Sequence, residues 1–236
     1  MSRPTPLFIV TSSRPRVGKT LLARVLVEFY CAQDRPVCAF DVNPDEFTLL
    51  DYLPAHTAAA SIRDTRGEMA LFDQLVLGDQ VPKVVDLGYA QFERFFAVMQ
   101  EINFLAEARR RDVVPMVLFV ADADERARLA YAMLQRRFAG LALVAVFNLA
   151  VPQIARHVAS FPPSPRGGPP LALPALTPVL RSVIERRSFS FAAYASKAAD
   201  PTAELFEWTR KAFLAFRDLE VRLLLGELRS DLKHSA

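Results

Sequence analysis

Residues 7–10 are an uninterrupted Leu-Phe-Ile-Val run. They lead into "TSSRPRVGKTLLA" (residues 11–23), where a helical pattern begins at once. No other stretch narrows the possible folds so far. The apolar run through Thr11 reads as a strand covered on both faces. From Gly18 to Gln33 the side chains of Leu21, Leu22, Val25, Leu26 and Phe29 fall on one stripe of a helix. A buried strand, a tight loop and a helix in that order open an α/β unit, whose helix must pack back onto the sheet that holds the strand. The loop closes on Gly18-Lys19-Thr20, where the first N–H groups of the helix have no partner within it and attract an anion.

The same alternation continues along the chain. Pro36 precedes a second strand, Val37–Asp41; Lys83–Leu87, Pro115–Ala121 and Leu141–Asn148 read as a third, fourth and fifth. Phe92–Arg111 and Asp124–Arg137 carry the amphipathic pattern of helices. Strands as apolar as "VPMVLFVA" suit a parallel sheet buried on both faces. The expectation is a doubly wound, mostly parallel α/β sheet flanked by helices, a three-layer sandwich forming a single domain over residues 1–236. Residues 161–178 are a proline-rich surface loop with a short strand at Leu171–Leu173. The tail, 201–232, is helical, with Leu205, Trp208, Phe213, Phe216, Leu219, Leu223 and Leu224 available to pack. No internal repeat is present.

Several classes are set aside by composition. Hydrophobic residues make up 52% of the chain, yet no apolar run approaches the roughly 18 residues of a membrane helix. The first residues lack the layout of a secretory signal. Cys31 and Cys38 have neither metal-ligand nor redox spacing, so two reduced, mostly buried thiols in a cytoplasmic protein are expected. A net charge of +3 does not by itself indicate nucleic-acid binding. His56, His157 and His234 are too far apart in sequence to suggest a metal cluster, and no Ser/His/Asp set can be placed. Asp122 and Asp124 follow the fourth strand, where they cap the next helix. Arg109, Arg110 and Arg111 read as a solvated helix end. Phe92, Phe95 and Phe96 sit at helical spacing and read as core, with a partner-docking face as the alternative.

The chemistry gathers in the first loop. Successive backbone N–H groups cradle an anion, a lysine adds charge, and a Ser/Thr hydroxyl ligates Mg²⁺. Lys19 suits the β- and γ-phosphates, Thr20 the metal, and Gly18 the close approach of backbone. Ser13 stands where G-x-x-x-x-G-K-[ST] has its first glycine. Pro15 removes one N–H and fixes φ, so the loop must take a somewhat different path.

The loop resembles the deviant phosphate-binding loop, K-G-G-x-G-K-T, of the ParA/MinD ATPases, a superfamily that includes the nitrogenase iron protein and the arsenite-pump ATPase. Aligned on Gly18-Lys19-Thr20, Arg14 falls on that family's signature lysine, which reaches across a nucleotide-sandwich dimer. Arginine keeps the charge and adds a planar fork suited to phosphate oxygens. "VCAFDVNPDEFTLLDYL" resembles the family's second strand and first switch, with Asp41 on the first aspartate and Asn43 on the second, which helps orient the attacking water. Asparagine supplies neither a base nor a charge, and Asp45 lies two residues further on. "KVVDLG" resembles the third strand and second switch, with Asp86 binding Mg²⁺ through a water and Gly88 flexing. Asn148, ending "LVAVFN", matches an asparagine that reads the adenine edge. "LPALTPVLRSVIERRSFSF" resembles the proline-bearing loop that flanks the base before a helix.

The resemblance implies a P-loop NTPase that holds ATP or ADP with Mg²⁺. Ser13, Arg16, Val17, Gly18, Lys19, Thr20, Leu21 and Asn148 would contact the nucleotide, Thr20 and Asp86 the metal. Lys19, Arg14, Asp41 and Asn43 would serve a weak ATPase. It further implies an ATP-dependent homodimer acting on a protein partner or nonspecific DNA, with no integral membrane association. Arg24, Arg187, Lys197, Arg210, Lys211 and Arg222 would supply a basic face for DNA. The alternative, favoured by Asn43, is a nucleotide-gated adaptor that barely hydrolyses. A small-molecule kinase or ligase would need an acceptor pocket for which no residues stand out.

Overall fold

The first apolar run becomes β1 (Thr5–Thr11), every residue of which is buried. Its side chains alternate between two cores: Leu7 and Ile9 enter one, Phe8 and Val10 the other. The fold is a computed structural model that describes residues 4–43, 48–197, 200 and 202–234, with side chains of the last helix as far as Leu223. Asp45 lies outside the described residues, as does the side chain of Leu224.

After β1 come α1 (Lys19–Cys31), β2 (Cys38–Val42), α2 (Thr48–Tyr52), β3 (Thr57–Ala59) and α3 (Thr65–Leu75). They are followed by β4 (Lys83–Leu87), α4 (Phe92–Glu101), α5 (Phe104–Arg110), β5 (Val113–Val120), α6 (Glu125–Arg137) and β6 (Ala142–Asn148). β7 (Leu171–Leu173), α7 (Pro178–Ile184), α8 (Phe191–Lys197) and α9 (Glu204–His234) complete the order. The seven strands form one sheet in the order β3-β2-β4-β1-β5-β6-β7, and each neighbouring pair is parallel. This is a doubly wound α/β sandwich. Helices α3 to α6 cover one face of the sheet, and α1 with α7, α8 and α9 covers the other. β1 sits between β4 and β5, where the chain switches from building leftward to building rightward. Ligands of such sheets bind beyond the strands' carboxyl ends at that switch.

Sequence and structure differ between β2 and β4, where α2, β3 and α3 form without having been expected, and again between β4 and β5. The single helix expected over Phe92–Arg111 is two, because Asn103 adopts a left-handed backbone at φ 50° and stops the ladder. Asparagine tolerates that conformation better than most residues. Phe92, Phe95 and Phe96 are buried, and their rings pack against one another, Phe72 and Phe138; they are core and offer no docking face. The tail is one helix, with Leu205, Trp208, Phe216, Leu219 and Leu223 buried against α1 and its neighbours. Asp124 caps α6 by accepting from Arg126 N, as expected. Both cysteines are free and half-buried. No helix among the described residues is long and apolar enough to cross a membrane.

Candidate functional site

The loop after β1 turns into α1 through two left-handed residues, Arg16 at φ 58° and Gly18 at φ 97°. Gly18 is required twice over. Its φ is unfavourable for a side chain, and a Cβ there would lie 2.5 Å from Asn148 Nδ2. Asn148, at the end of β6, donates from that nitrogen to Val17 O at 3.0 Å and accepts from Ala150 N at 3.1 Å. It therefore braces the loop from beneath. Val17, only 2% exposed, pins the loop into the core on its other side.

Lys19 and Thr20 lead α1. Lys19 Nζ donates to Arg14 O at 3.0 Å and lies 6.0 Å from the centre of the Tyr89 ring. Burial pushes its pKa down, against the opposing attraction of Asp86. Thr20 Oγ1 donates to Asp86 Oδ2 at 2.7 Å and lies 3.3 Å from Thr48 Oγ1. Asp86 ends β4 directly beside Asp41 on β2. It is fully buried, and its pKa is raised to about 7, chiefly by burial and further by Asp41, with Thr20 and Lys19 pulling the other way. Asp86 Oδ1 has no hydrogen-bond partner among the described residues. Neither has the buried hydroxyl of Ser13.

Asp41, on β2, gathers several hydrogen bonds. Its Oδ2 accepts from Leu49 N at 2.9 Å and Leu50 N at 3.1 Å, which fixes the start of α2. Its Oδ1 accepts from Asn43 Nδ2 at 2.9 Å, and the same amide donates to Asp86 O at 3.3 Å. Asn43 thus links the two acidic strand ends. Gly88 gives it room, since a Cβ there would fall 2.5 Å from Asn43 Oδ1.

Gly18, Lys19, Thr20, Thr48, Gly88 and Tyr89 border a cleft of about 880 Å³ at the carboxyl ends of the strands, whereas Ser13, Asp41 and Asp86 lie behind its lining. Arg16, Val17, Gly18, Lys19, Thr20 and Leu21 form its floor, Asn43 and Asn148 flank it, and the far side is Pro174, Leu176 and α7. Arg14 turns away: its guanidinium pairs with Asp124 at 3.3 Å, and its N–H donates to Ser12 Oγ at 3.2 Å. Asp122, also at the cleft, accepts from Asp124 N at 2.8 Å, a turn contact. One expectation is corrected. Arg24 belongs to no basic surface; it is 2% exposed, ion-paired to Glu28 and enclosed by aromatic rings. Arg187 and Arg210 are exposed but paired with Asp51 and Glu207.

Sequence reasoning missed Thr48, Tyr52, Tyr89, Arg181 and Trp208, all of which border the cleft. Tyr89 had one signal, its place directly after Gly88. Thr48 and Tyr52 lie within the stretch that resembles the first switch and Arg181 within the proline-bearing stretch, so each had a regional signal, whereas Trp208 was expected only to pack.

No family model and no curated protein matches the sequence. Two solved structures align with most of the chain. The MinC:MinD cell division protein complex of Aquifex aeolicus aligns with a TM-score of 0.47 and 12% identity over 91% of this chain and 96% of that one. The MinD cell division protein of Aquifex aeolicus aligns at 0.46 and 13%, over 91% of this chain and 97% of that one. Both scores lie below 0.5, so the fold rests on the order of the parallel sheet and the chemistry on the cleft itself.

Proposed function

We propose that this chain is a nucleotide-switch ATPase of the ParA/MinD kind, which binds Mg²⁺ and ATP in the cleft, pairs with a second copy around the nucleotide, positions a protein partner or cargo, and hydrolyses slowly. One observation supports this above the rest: Lys19 and Thr20 lead α1 under an open cleft, with the unpartnered Asp86 Oδ1 beside them. A fully buried carboxylate oxygen without a donor is costly unless a cation or water completes it. Thr20 Oγ1 and Asp86 offer hard oxygens, the donor set that Mg²⁺ prefers. They are the residues that would hold it. When bound, the ion would neutralise charge on the phosphate oxygens.

The chain's own residues do the rest. The amides of the loop and the first turn of α1 bind the phosphates. Lys19, which donates to Arg14 O, exchanges that carbonyl for phosphate oxygens. Asp41 holds α2 so that Thr48 stays beside Thr20. Arg14 has a fork suited to a partner's phosphates, and it must first leave Asp124. Asn148 secures the loop, and its remaining amide hydrogen is available to the base edge.

A second reading, the nucleotide-gated adaptor, is favoured by Asn43. Its amide is engaged by Asp41 and Asp86 O and offers no charge to orient a water. Phosphate release with Mg²⁺ and ATP, measured with and without DNA and beside Lys19→Ala, separates the two. Turnover that vanishes in the variant supports the ATPase. Tight ATP binding without turnover supports the adaptor. Stimulation by DNA would identify the cargo class, and failure to bind nucleotide at millimolar concentration removes both readings.

A further inference from the structure

The cleft has a second wall, away from the phosphate loop, and it is fastened to α1 through one side chain. Arg24 lies about one and a half helical turns beyond Lys19. Its Nε donates to Glu28 Oε1 at 3.2 Å, its Nη1 to Ile184 O at 2.5 Å, and its Nη2 to Phe189 O. The guanidinium carbon is 4.2 Å from the centre of the Tyr52 ring and 5.1 Å from that of Phe191. Glu28 Oε2 accepts from Ser190 Oγ at 2.5 Å and from Ala192 N at 3.1 Å. The Tyr52 hydroxyl donates to Glu185 O at 3.2 Å, and Arg187 pairs with Asp51 at 2.6 Å.

These contacts converge on one place. Ile184 is the last residue of α7 and Glu185 its cap, so their carbonyls are among those a helix leaves unpaired. Arg24 and Tyr52 satisfy them, and a cation at a helix C-terminus is also favoured by the helix dipole. Arg24, Tyr52, Ile184 and Glu185 all border the cleft. The phosphate end is held independently, by Asn148 on Val17 O, Lys19 on Arg14 O and Thr20 on Asp86.

We propose that Arg24 is a positioning residue for the nucleoside half of the ligand: by capping α7 it sets the wall against which base and ribose pack, while the triphosphate is held without it. This rests on the nucleotide-binding reading. Lysine at position 24 keeps the charge but has no planar fork for two carbonyls and a carboxylate together.

The test is calorimetric titration of the full chain with Mg²⁺·ATP and with Mg²⁺·tripolyphosphate, for the unaltered protein, Arg24→Lys and Tyr52→Phe. Tyr52→Phe keeps the ring over Arg24 and loses only the hydroxyl, which guards against a fold lost in the other variant. Arg24→Lys should weaken ATP about tenfold and leave tripolyphosphate within about twofold. Tyr52→Phe should weaken ATP about two- to threefold, again selectively. Equal losses for both ligands, or ATP affinity unchanged in both variants, overturn the assignment and leave Arg24 a structural residue. If the unaltered protein binds ATP no tighter than tripolyphosphate, the wall contributes nothing and the inference fails alone. If it binds neither, the nucleotide reading itself falls.

Discussion

At the phosphate end of the cleft, a loop and the first turn of one helix, residues 12–21, supply the cradle, the lysine and the hydroxyl; at the far end, Arg24 reaches carbonyls 160 and 165 positions away. The first end uses backbone amides at a helix start, a geometry that any strand–loop–helix with Gly-Lys-Thr acquires locally. The second exists only after α7 and α8 have folded back over α1. The anion cradle is supplied by one stretch and braced from the ends of β4 and β6 by Asp86 and Asn148, whereas the nucleoside wall needs α7 and α8 in place as well. The buried pair Arg24–Glu28, with side chains 3% and 2% exposed, ties the two ends together.

The largest effect that would break this contrast is thermodynamic. Arg24→Met leaves Glu28 buried without its cation, and removal of one partner from a buried pair costs about 3–5 kcal/mol. Urea denaturation should show a loss of that size, and Glu28→Gln added to Arg24→Met should restore part of it. A loss below about 1 kcal/mol would mean that the wall is held by apolar packing of Phe191, Trp208 and their neighbours instead.

That wall was also where the sequence misled. A charged residue in an amphipathic helix is expected at the surface, and nothing near Arg24 distinguishes it from Lys197 or Lys211. Besides Glu28, its partners are two backbone carbonyls and three rings, and carbonyls carry no sequence signature. Asn103 shows the same limit in the fold: apolar spacing continues through it, and only its backbone angle divides the helix. By contrast β1, β4, β5 and β6 were legible because strands covered on both faces must be apolar throughout. Asp86 was legible as the one acid closing such a strand. That its Oδ1 has no hydrogen-bond partner among the described residues shows only in the fold, and that Asn43 bridges Asp41 to Asp86 O follows from β2 and β4 lying side by side.

Next in size is an effect of pH at the phosphate end. Asp86 holds its proton up to about 7 in the folded chain, against an ordinary 3.8. Between those values the folded state binds more protons than the unfolded one, so stability is highest in acid and falls as pH rises through this window. At about 1.4 kcal/mol per pKa unit, the fall approaches roughly 4 kcal/mol. Asp41, raised mainly by burial, adds in the same sense, and Lys19 is the cation facing Asp86. Asp86→Asn keeps an acceptor for Thr20 and should flatten most of the slope between pH 5 and 7. A melting temperature equally pH-dependent in that variant would assign the slope elsewhere.

Lys19→Ala sharpens the comparison from the ligand side. Lys19 is 8% exposed, and burial lowers its pKa, so its loss should not destabilise the empty protein. ATP affinity should nevertheless fall roughly 100-fold, near 2.7 kcal/mol. The two ends then differ in kind, since Arg24 would act on the ligand through the placement of α7 while Lys19 would touch it directly. Parallel losses of stability and affinity in Lys19→Ala would erase that distinction.

The smallest expected effect concerns the residue that makes this loop unusual. Arg16 is held at φ 58°, a conformation costing a residue with a Cβ about 1 kcal/mol or more. Glycine would relieve that strain, but it has about 0.5–1 kcal/mol more chain entropy to lose on folding. Arg16→Gly should therefore leave stability nearly unchanged. What the arginine contributes is charge, since it is exposed and borders the cleft. ATP affinity should drop a few-fold in Arg16→Gly, and its dependence on salt should become shallower. Arg16→Asn separates charge from conformation, because asparagine accepts the left-handed backbone and carries no charge. Both variants should bind ATP equally poorly if charge is what the position supplies. Asparagine binding as tightly as arginine would mean that the loop selects only for backbone shape.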